Sequence, residues 1–376
     1  MADSNDTILM IAASEGNADM LYAVKMFVPD PFTYLEHNGT KTLVMSDLEI
    51  DRAKEQADVD EVLSLSAYME KIKKRGVNSS KLTDIVTEVL SERAITSVLV
   101  PNAFPVGYAD HLREQGIAVS VRDDPFFERR TIKSRREVDC ISAASRHTES
   151  AIRAAIAAIS EATVKDDVLY GPEGALTSEY IKRLINIHLL ERDCIAEHTI
   201  AAGGIHGCDP HNSGTGALRP GEPIIIDVFP KDASTGYYAD ITRTVVKGPA
   251  SDALKRQYDA VLEAQHIVFE QLKGGADGAA IHESVEIFFK DKGYETGEKE
   301  GRMQGFFHGT GHGFGLEVHE PPRISPVPQT LKTGQIVTVE PGLYYTDSGG
   351  VRIEDNVWLT DDGYENLTQL EKVLEI

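Results

Sequence analysis

Three histidines stand close together near the carboxyl-terminal end of the sequence. They alternate with glycines in the stretch His308-Gly-Thr-Gly-His312-Gly-Phe-Gly-Leu-Glu-Val-His319. Imidazole is a common metal ligand and the usual proton carrier near neutral pH. Glycines let the backbone pass close to a ligand and adopt angles that other residues resist. The stretch therefore predicts a chemical site rather than a packed strand.

Four carboxylates lie in other segments that are apolar or rich in β-branched residues. They are Asp227, Asp240, Glu340 and Glu354. Such side chains are costly to bury unless they are paired or bound to a metal. Together with one histidine they suit a pair of divalent cations, because four negative charges nearly neutralise two dications. Two metals about 3.5–4 Å apart share and activate one water in many hydrolases.

This donor set, in this chain order, resembles that of the peptidase family that includes methionine aminopeptidase, aminopeptidase P and prolidase. The resemblance covers residues 130–376 and implies two divalent ions held by Asp227, Asp240, His312, Glu340 and Glu354. Manganese is the expected metal because oxygen donors dominate, with cobalt, zinc and iron as alternatives. The two aspartates are further apart than in many relatives, and we expect the turn 231–236 to tolerate the extra length.

The resemblance implies an α+β fold with a C-terminal pita-bread (creatinase/aminopeptidase) domain over residues 129–376. An α/β domain of the creatinase N-terminal, ribonuclease H-like type would precede it over residues 1–128. There, alternating apolar runs and helical stretches favour a partly parallel sheet. The pattern predicts strands over 7–12, 42–45, 97–100 and 116–121, and helices over 58–74, 83–93, 134–157, 177–192, 251–272 and 279–292.

The resemblance also assigns roles around the metals. His211 would face the substrate across the pocket, with His206 as the competing candidate. His308 and His319 would flank the reacting carbonyl, one donating a hydrogen bond to the developing oxyanion and the other binding substrate or moving protons. The alternative for both histidines is a structural role, in which they hold neighbouring metal ligands in place. Glu340 would take the proton from the attacking water and pass it to the proline nitrogen.

Two arginines carry further expectations. Arg352 would orient a ligand carboxylate or screen the negative site; the alternative is a structural ion pair with Asp355 or another acid. Thr242 would hydrogen-bond a ligand carboxylate. Arg323 matches an arginine that grips the free carboxylate of a dipeptide in microbial prolidases, the alternative being a solvated loop arginine. The apolar wall facing proline would come from Val318 and from Phe306 or Phe307.

The expected function is therefore a dinuclear-metal exopeptidase that hydrolyses Xaa-Pro bonds, in the first instance an Xaa-Pro dipeptidase. The alternative is an aminopeptidase P that acts on longer peptides. A metal-free binding protein of the same fold, or a creatinase-like hydrolase, is disfavoured because all five ligands are present. The substrate would be a small Xaa-Pro peptide, and the resemblance implies a homodimer.

Net charge, hydropathy and cysteine content limit which partners and which cellular compartment we expect. A net charge of −22 argues against nucleic-acid or anionic-membrane partners. No apolar run reaches the roughly 18 residues of a membrane span, and the acidic start lacks the basic region of a signal peptide. Cys140, Cys194 and Cys208 are odd in number and form no CxxC, which favours a reducing cytoplasm. We expect Cys208 to be a bystander thiol.

Overall fold

A computed structural model describes residues 7–76 and 81–376. The chain divides into two compact units, an N-terminal unit (Met1–Arg130) and a C-terminal unit (Thr131–Ile376). No helix within the described ranges has both the length and the apolar character needed to cross a membrane.

The N-terminal unit is built on a six-stranded sheet with strand order β4-β3-β2-β1-β5-β6. The pairs β3–β4, β1–β5 and β5–β6 are parallel, which confirms the predicted mixed sheet. Its strands are β1 (Ile8–Ala12), β2 (Phe32–His37), β3 (Thr40–Met45), β4 (Glu61–Ser64), β5 (Ser97–Pro101) and β6 (Ala118–Arg122). Its helices are α1 (Ala18–Val24), α2 (Ile50–Gln56), α3 (Leu65–Lys74), α4 (Leu82–Glu92) and α5 (Val106–Glu114).

Both faces of this sheet are buried. Along β1, Ile8 and Met10 enter one apolar core, whereas Leu9 and Ile11 enter a second core on the opposite face. This is the separation that alternating side chains of a strand produce. Helices therefore cover the sheet on two sides, as in other α/β layers.

One predicted helix of the N-terminal unit is wrong over its first part. The segment 58–74 begins not as a helix but with β4 (Glu61–Ser64), which pairs in parallel with β3. The helix starts only at Leu65, where the Ser64 hydroxyl accepts a hydrogen bond from the backbone of Ala67 and caps the first turn. Tertiary pairing at the sheet edge has overridden the helical periodicity.

The C-terminal unit contains two pairs of helices, each packed on its own group of strands. Helices α6 (Arg135–Ser160) and α7 (Ser178–Leu190) share an apolar core with the strands β12 (Ile224–Val228) and β14 (Ile241–Val245). Helices α8 (Asp252–Gln271) and α9 (Gly278–Asp291) share another with β19 (Ile336–Val339) and β22 (Asp355–Leu359). All four helices are confirmed to within a few residues. The first begins at Ser134 with a capping box, in which Ser134 and Glu137 bond reciprocally.

The strands of the C-terminal unit form several small sheets. A three-stranded sheet has the order β11-β12-β14, and a five-stranded sheet has the order β18-β17-β19-β22-β23. The strands are β7 (Thr163–Lys165), β8 (Val168–Gly171), β9 (Gly174–Ala175), β10 (Cys194–Ile195), β11 (Ile200–Gly203), β12 (Ile224–Val228), β13 (Lys231–Asp232), β14 (Ile241–Val245), β15 (Gly297–Lys299), β16 (Arg302–Gln304), β17 (Gly311–Gly313), β18 (Glu320–Ile324), β19 (Ile336–Val339), β20 (Gly342–Tyr345), β21 (Gly349–Arg352), β22 (Asp355–Leu359) and β23 (Tyr364–Asn366).

Candidate metal centre

Two aspartates approach one another from the neighbouring strands β12 and β14. Asp227 lies in the fully buried strand β12 and is the register partner of Thr242. Asp240 immediately precedes β14 and lies two residues before Thr242, so alternation sends the Asp240 and Thr242 side chains to one face. The register thus brings both aspartates to one end of the three-stranded sheet.

His312 lies in β17 between two glycines that leave no room for a side chain. A Cβ at Gly311 would stand 2.0 Å from the carbonyl oxygen of Thr338, and one at Gly313 would stand 2.4 Å from that of Pro321. The glycines of the histidine stretch therefore permit close strand packing. This packing fixes the backbone from which the imidazole projects.

The His312 ring presents Nε2 to the carboxylates. Its Nδ1 lies 3.1 Å from the carbonyl oxygen of Gly313, which can only accept, so Nδ1 carries the hydrogen of the neutral ring. Nε2 lies 3.3 Å from Glu340 Oε1 and 3.7 Å from Asp240 Oδ2. Burial, aided by the nearby His319, lowers the pKa of His312 to about 3, so the ring is neutral and its Nε2 lone pair is available to a cation.

The two glutamates stand at the paired ends of β19 and β22. Val339 and Asp355 are register partners, so Glu340 and Glu354 flank that pair. The Glu354 carboxylate accepts a hydrogen bond of 2.7 Å from the Thr242 hydroxyl, which confirms the predicted contact of Thr242 with an acid of the set. The Glu354 amide also donates to the Thr242 carbonyl at 3.0 Å, which joins the two groups of strands at the site.

Burial and mutual repulsion raise the pKa values of three of these crowded carboxylates. Burial, together with the charges of neighbouring acids, raises the pKa of Asp240 and of Glu354 well above their usual range. Burial likewise raises the pKa of Glu340 to about 7, with Asp227 adding to the effect. Without a cation the cluster therefore retains protons that ordinary surface carboxylates would lose.

The residues present fit divalent cations. Asp227 Oδ1 is buried and has no hydrogen-bond partner, which is the state expected of an oxygen reserved for a metal. One donor atom from each of Asp240, His312 and Glu354 lies within 4.8 Å of the others. Carboxylate oxygens with one imidazole form a donor set for ions such as manganese, cobalt, iron or zinc.

A hydrogen-bonded chain behind the acids includes Tyr344, a residue that the sequence did not single out. Arg352 donates to Asp227 Oδ2 at 2.6 Å and to the Tyr344 hydroxyl at 2.8 Å. That hydroxyl lies 2.9 Å from His308 Nε2, and His308 Nδ1 lies 2.7 Å from the carbonyl oxygen of Gly309. Arg352 thus pairs with Asp227 rather than with Asp355, and both nitrogens of His308 are engaged.

The remaining candidates are exposed or half-buried residues. His319 is exposed, and its ring meets the His312 ring edge-on with 4.5 Å between centroids. Arg323 is exposed and is the register partner of His312 in the β17–β18 pair. Val318 is half-buried. His211 is exposed and lines an open cavity of about 670 Å³.

His206, the competing candidate, lines a different and smaller cavity of about 200 Å³. His211, by contrast, lies close enough to His308 and His319 to lower the pKa of both rings, an effect secondary to that of burial. The structure therefore favours His211 over His206 as the histidine near the cluster.

Phe306 and Cys208 are interior residues. Phe306 is 3% exposed and packs in the apolar core against the rings of His308 and Phe289. It is therefore unavailable as an open apolar wall, and Phe307 packs against Tyr344. Burial raises the pKa of the Cys208 thiol to about 11, which is unsuited to a nucleophile and agrees with the predicted bystander role.

Comparison with known families identifies the class of protein that this fold and cluster define. Residues 139–361 match the model of metallopeptidase family M24. The match covers more than half of the chain and includes every acid and histidine of the cluster, so the chain belongs to metallopeptidase family M24. It is accordingly a metal-dependent peptidase, as the resemblance implied.

Several relatives and solved structures resemble this chain over most of its length. The chain is 31% identical to an Xaa-Pro dipeptidase of Pyrococcus horikoshii over 89% of this chain and 85% of the relative. It is 34% identical to an Xaa-Pro dipeptidase of Pyrococcus furiosus over 67% of each. Among solved structures, an X-Pro aminopeptidase from Thermotoga maritima matches with a TM-score of 0.82 and 25% identity, covering 99% of this chain and 98% of that one. The prolidase from Pyrococcus furiosus matches with a TM-score of 0.79 and 25% identity, covering 98% of each. The predicted pita-bread fold is confirmed.

Proposed function

We propose that this chain is a metal-dependent Xaa-Pro dipeptidase that releases proline from small peptides. Its two divalent ions would be held by Asp227, Asp240, His312, Glu340 and Glu354. The observation that carries the proposal is the Asp240–His312–Glu354 cluster, whose donor atoms lie within 4.8 Å of one another. The Xaa-Pro specificity is taken from the relatives named above.

Bound divalent ions would supply an activated water and a polarised carbonyl oxygen. The protein's own groups would supply orientation and proton transfer. Glu340 reaches the cluster from the end of β19, and its Oε1 accepts a hydrogen bond of 3.2 Å from the Thr338 hydroxyl. This bond holds the carboxylate in place while it takes a proton from the attacking water and delivers it to the proline nitrogen.

His319 is the better of the two histidines for contact with the reacting carbonyl. Both nitrogens of His308 already have partners, namely the Tyr344 hydroxyl and the Gly309 carbonyl. The His319 ring has no recorded hydrogen bond in the described part of the chain, so it is open to donate to a developing oxyanion. In this assignment Arg352, Tyr344 and His308 act together to orient the Asp227 carboxylate.

The preference for dipeptides rests on Arg323. Its guanidinium belongs to no ion pair recorded among residues 7–76 and 81–376, although its charge is close enough to lower the pKa values of His312, His319 and Glu340, as a lesser contribution in each case. A free cation beside the catalytic groups can hold the carboxylate of a dipeptide in a bidentate pair. Val318 and His211 would complete the substrate site.

An aminopeptidase P activity on longer peptides is the second candidate, and the cavity beside His211 favours it. That cavity is open and also receives His198, Lys182 and Ser213. It has room for residues beyond the proline, which a strict dipeptidase would not need. The two candidates therefore differ in whether Arg323 or this cavity governs the length of the substrate.

The deciding experiment compares hydrolysis of Ala-Pro with that of a longer Xaa-Pro peptide, with manganese or cobalt and after chelation. A dipeptidase is expected to prefer Ala-Pro, and Arg323→Gln should lower kcat/KM for Ala-Pro by about tenfold to a hundredfold, the value of one desolvated charge pair. The same variant should leave the longer peptide nearly unaffected. A wild-type protein that favours the longer peptide would transfer the proposal to aminopeptidase P.

Three further properties belong to this proposal. Manganese is proposed as the metal because oxygen donors outnumber nitrogen. A cytoplasmic location is supported by three free cysteines, Cys140, Cys194 and Cys208. A homodimer with the N-terminal domain over residues 1–128 and the catalytic domain over 129–376 is carried over from the family. Metal analysis and light scattering of the purified protein test the first and last of these.

A further inference from the structure

A buried ion pair lies outside the carboxylate cluster. Lys133 Nζ stands 2.7 Å from Glu320 Oε2, and the two side chains are 2% and 0% exposed. Lys133 lies just before α6, whereas Glu320 opens β18 directly after His319. A pair buried so completely is costly to desolvate and is a weak source of stability, so its position next to His319 calls for another explanation.

The Glu320 carboxylate closes the loop that carries His319. Besides the lysine it accepts backbone hydrogen bonds from Leu316 at 3.0 Å and from Glu317 at 3.1 Å. A Cβ at Gly315 would stand 2.8 Å from Lys133 Nζ and 3.1 Å from Glu320 Oε2, so the loop backbone passes directly over the ion pair. The loop from 315 to 320 is therefore wrapped around one carboxylate.

The lysine end of the pair is itself fixed. The Lys133 amide donates to the carbonyl oxygen of Gly334 at 2.8 Å, just before the strand β19 that leads to Glu340. The loop is thus tied to the backbone that presents an acid of the cluster. Lys133 and the two loop amides thus converge on one Glu320 carboxylate.

His319 depends on this loop for its orientation. Its exposed ring contacts the His312 ring, 4.5 Å between centroids, and has no recorded side-chain hydrogen bond in the described ranges. We propose that Lys133 and Glu320 are positioning residues that hold the 315–320 loop so that His319 faces the reacting carbonyl. This inference rests on the proposed role of His319 and adds Glu320, its neighbour in sequence, and Lys133, which lies far from both in the chain.

The test is a double-mutant cycle on the metal-loaded full chain. Lys133→Met should lower kcat for Ala-Pro by about tenfold to a hundredfold, the usual effect of losing a group that orients a site residue, with KM changed less than about twofold. In a His319→Ala background the same substitution should have almost no further effect, because coupled residues are not additive. Glu320→Gln added to Lys133→Met should recover part of kcat, since the amide oxygen still accepts hydrogen bonds without needing a cation.

Arg130→Met is the matched control. It breaks the Arg130–Asp19 pair in the N-terminal unit, which is 2.9 Å long and whose side chains are 4% and 12% exposed. This variant should lose stability while keeping kcat. If Lys133→Met lowers kcat by the same factor with and without His319, the pair supports only the fold and the inference is overturned.

Amide hydrogen exchange provides a readout that does not depend on turnover. The amides of Leu316 and Glu317 should exchange slowly in the wild type and at least about tenfold faster in Lys133→Met, while those of β19 remain protected. Unchanged protection would overturn the inference. A wild type that hydrolyses no Xaa-Pro peptide would defeat the proposed function instead, and the exchange result would still decide whether the pair holds the loop.

Discussion

Two buried ionic clusters lie next to each other, because the consecutive residues Glu354 and Asp355 belong one to each. The metal cluster brings four acids together with the buried Arg352, which pairs with Asp227. The second consists of Arg243, Asp355 and Lys372; we name it the balanced cluster because each of its charged side chains pairs with one of opposite sign. Asp355 lies 2.8 Å from Arg243 and 2.6 Å from Lys372, and its side chain is 1% exposed.

The two clusters differ in how completely their charges are paired, and this difference distinguishes a binding site from a structural cluster. Every charge of the balanced cluster has an opposite neighbour, and Arg243 also donates to the carbonyl oxygens of Glu354 and Leu370, each at 2.7 Å. The metal cluster has an excess of negative charge and a buried oxygen of Asp227 without a partner. Buried charge alone therefore does not mark a site; uncompensated buried charge does.

Glu354→Gln should produce the largest effect, because it removes an acid of the metal cluster. We expect turnover to fall by about a thousandfold or more, roughly 4 kcal/mol of transition-state stabilisation, with loss of bound metal. The metal-free protein should be no less stable than the wild type, since one of the repelling carboxylates is gone. Kinetics, metal analysis and thermal unfolding check the three parts, and full activity in Glu354→Gln would contradict the ligand set.

Asp355→Asn is the matched change in the balanced cluster, one residue further along. It leaves Arg243 and Lys372 without their counter-charge in the interior, which should cost about 3 kcal/mol of stability. The intrinsic affinity for metal should change much less than in Glu354→Gln. Denaturant unfolding of the chelated protein measures the loss, and a stability equal to that of the wild type would contradict the structural role.

Removing the metal with a chelator should lower the stability of the protein, because nothing then neutralises the excess negative charge of the metal cluster. A ligand that binds only the folded protein at a hundred times its Kd stabilises that protein by about 2.7 kcal/mol. We therefore expect adding manganese back to the chelated protein to raise its Tm by several degrees. The same addition to Glu354→Gln should have little effect, whereas Asp355→Asn should still respond.

In the metal-free protein, the Glu340 carboxyl should contribute stability that is lost as pH rises through the acidic and neutral range. Burial raises the pKa of Glu340 from 4.5 in the unfolded chain to about 7, so the folded state holds its proton longer. The stabilisation is full below pH 4.5 and is lost as pH rises to about 7. Unfolding of the chelated wild type and of chelated Glu340→Gln at several pH values isolates this contribution. A wild type that gains stability relative to Glu340→Gln over that interval would contradict it.

Thr242→Val should have the smallest effect. It removes the 2.7 Å hydrogen bond to Glu354 while keeping the shape of the side chain. Metal affinity should fall by about tenfold to a hundredfold, as for other residues that orient a ligand. Calorimetric titration measures the change, and an unaltered Kd would mean that Glu354 is held without this hydroxyl.

The sequence was most informative where chemistry conflicts with burial. Asp227 is an acid inside an isoleucine run, and Glu354 follows a glycine-rich strand, so each stands out from its surroundings. Alternation of side chains along a strand sends Asp227 and Asp240 to one face of the sheet, and the β12–β14 register brings them together. Thr242 was found by the same reasoning, since it lies two residues after Asp240.

Other residues that contact the site or its loops could not be identified from their local sequence. Tyr344 is a fully buried aromatic residue in an apolar strand, and such residues are usually core. Lys133 and Glu320 are 187 residues apart, so only the tertiary fold brings them together. Asp355 was considered only as an alternative partner of Arg352, and it pairs with Arg243 and Lys372 instead. The sequence does not distinguish the two arginines, because both lie in β segments next to acids.

The acids of the metal cluster are spread over more than a hundred residues, from Asp227 to Glu354. During synthesis the ribosome releases the aspartates long before the glutamates, and closing so long a loop is slow. A metal ion therefore cannot guide the early stages of folding, because its last ligand emerges only when most of the polypeptide has been made. Loading with metal is expected to follow folding in the cell, and slow metal uptake during refolding would reflect this order of events.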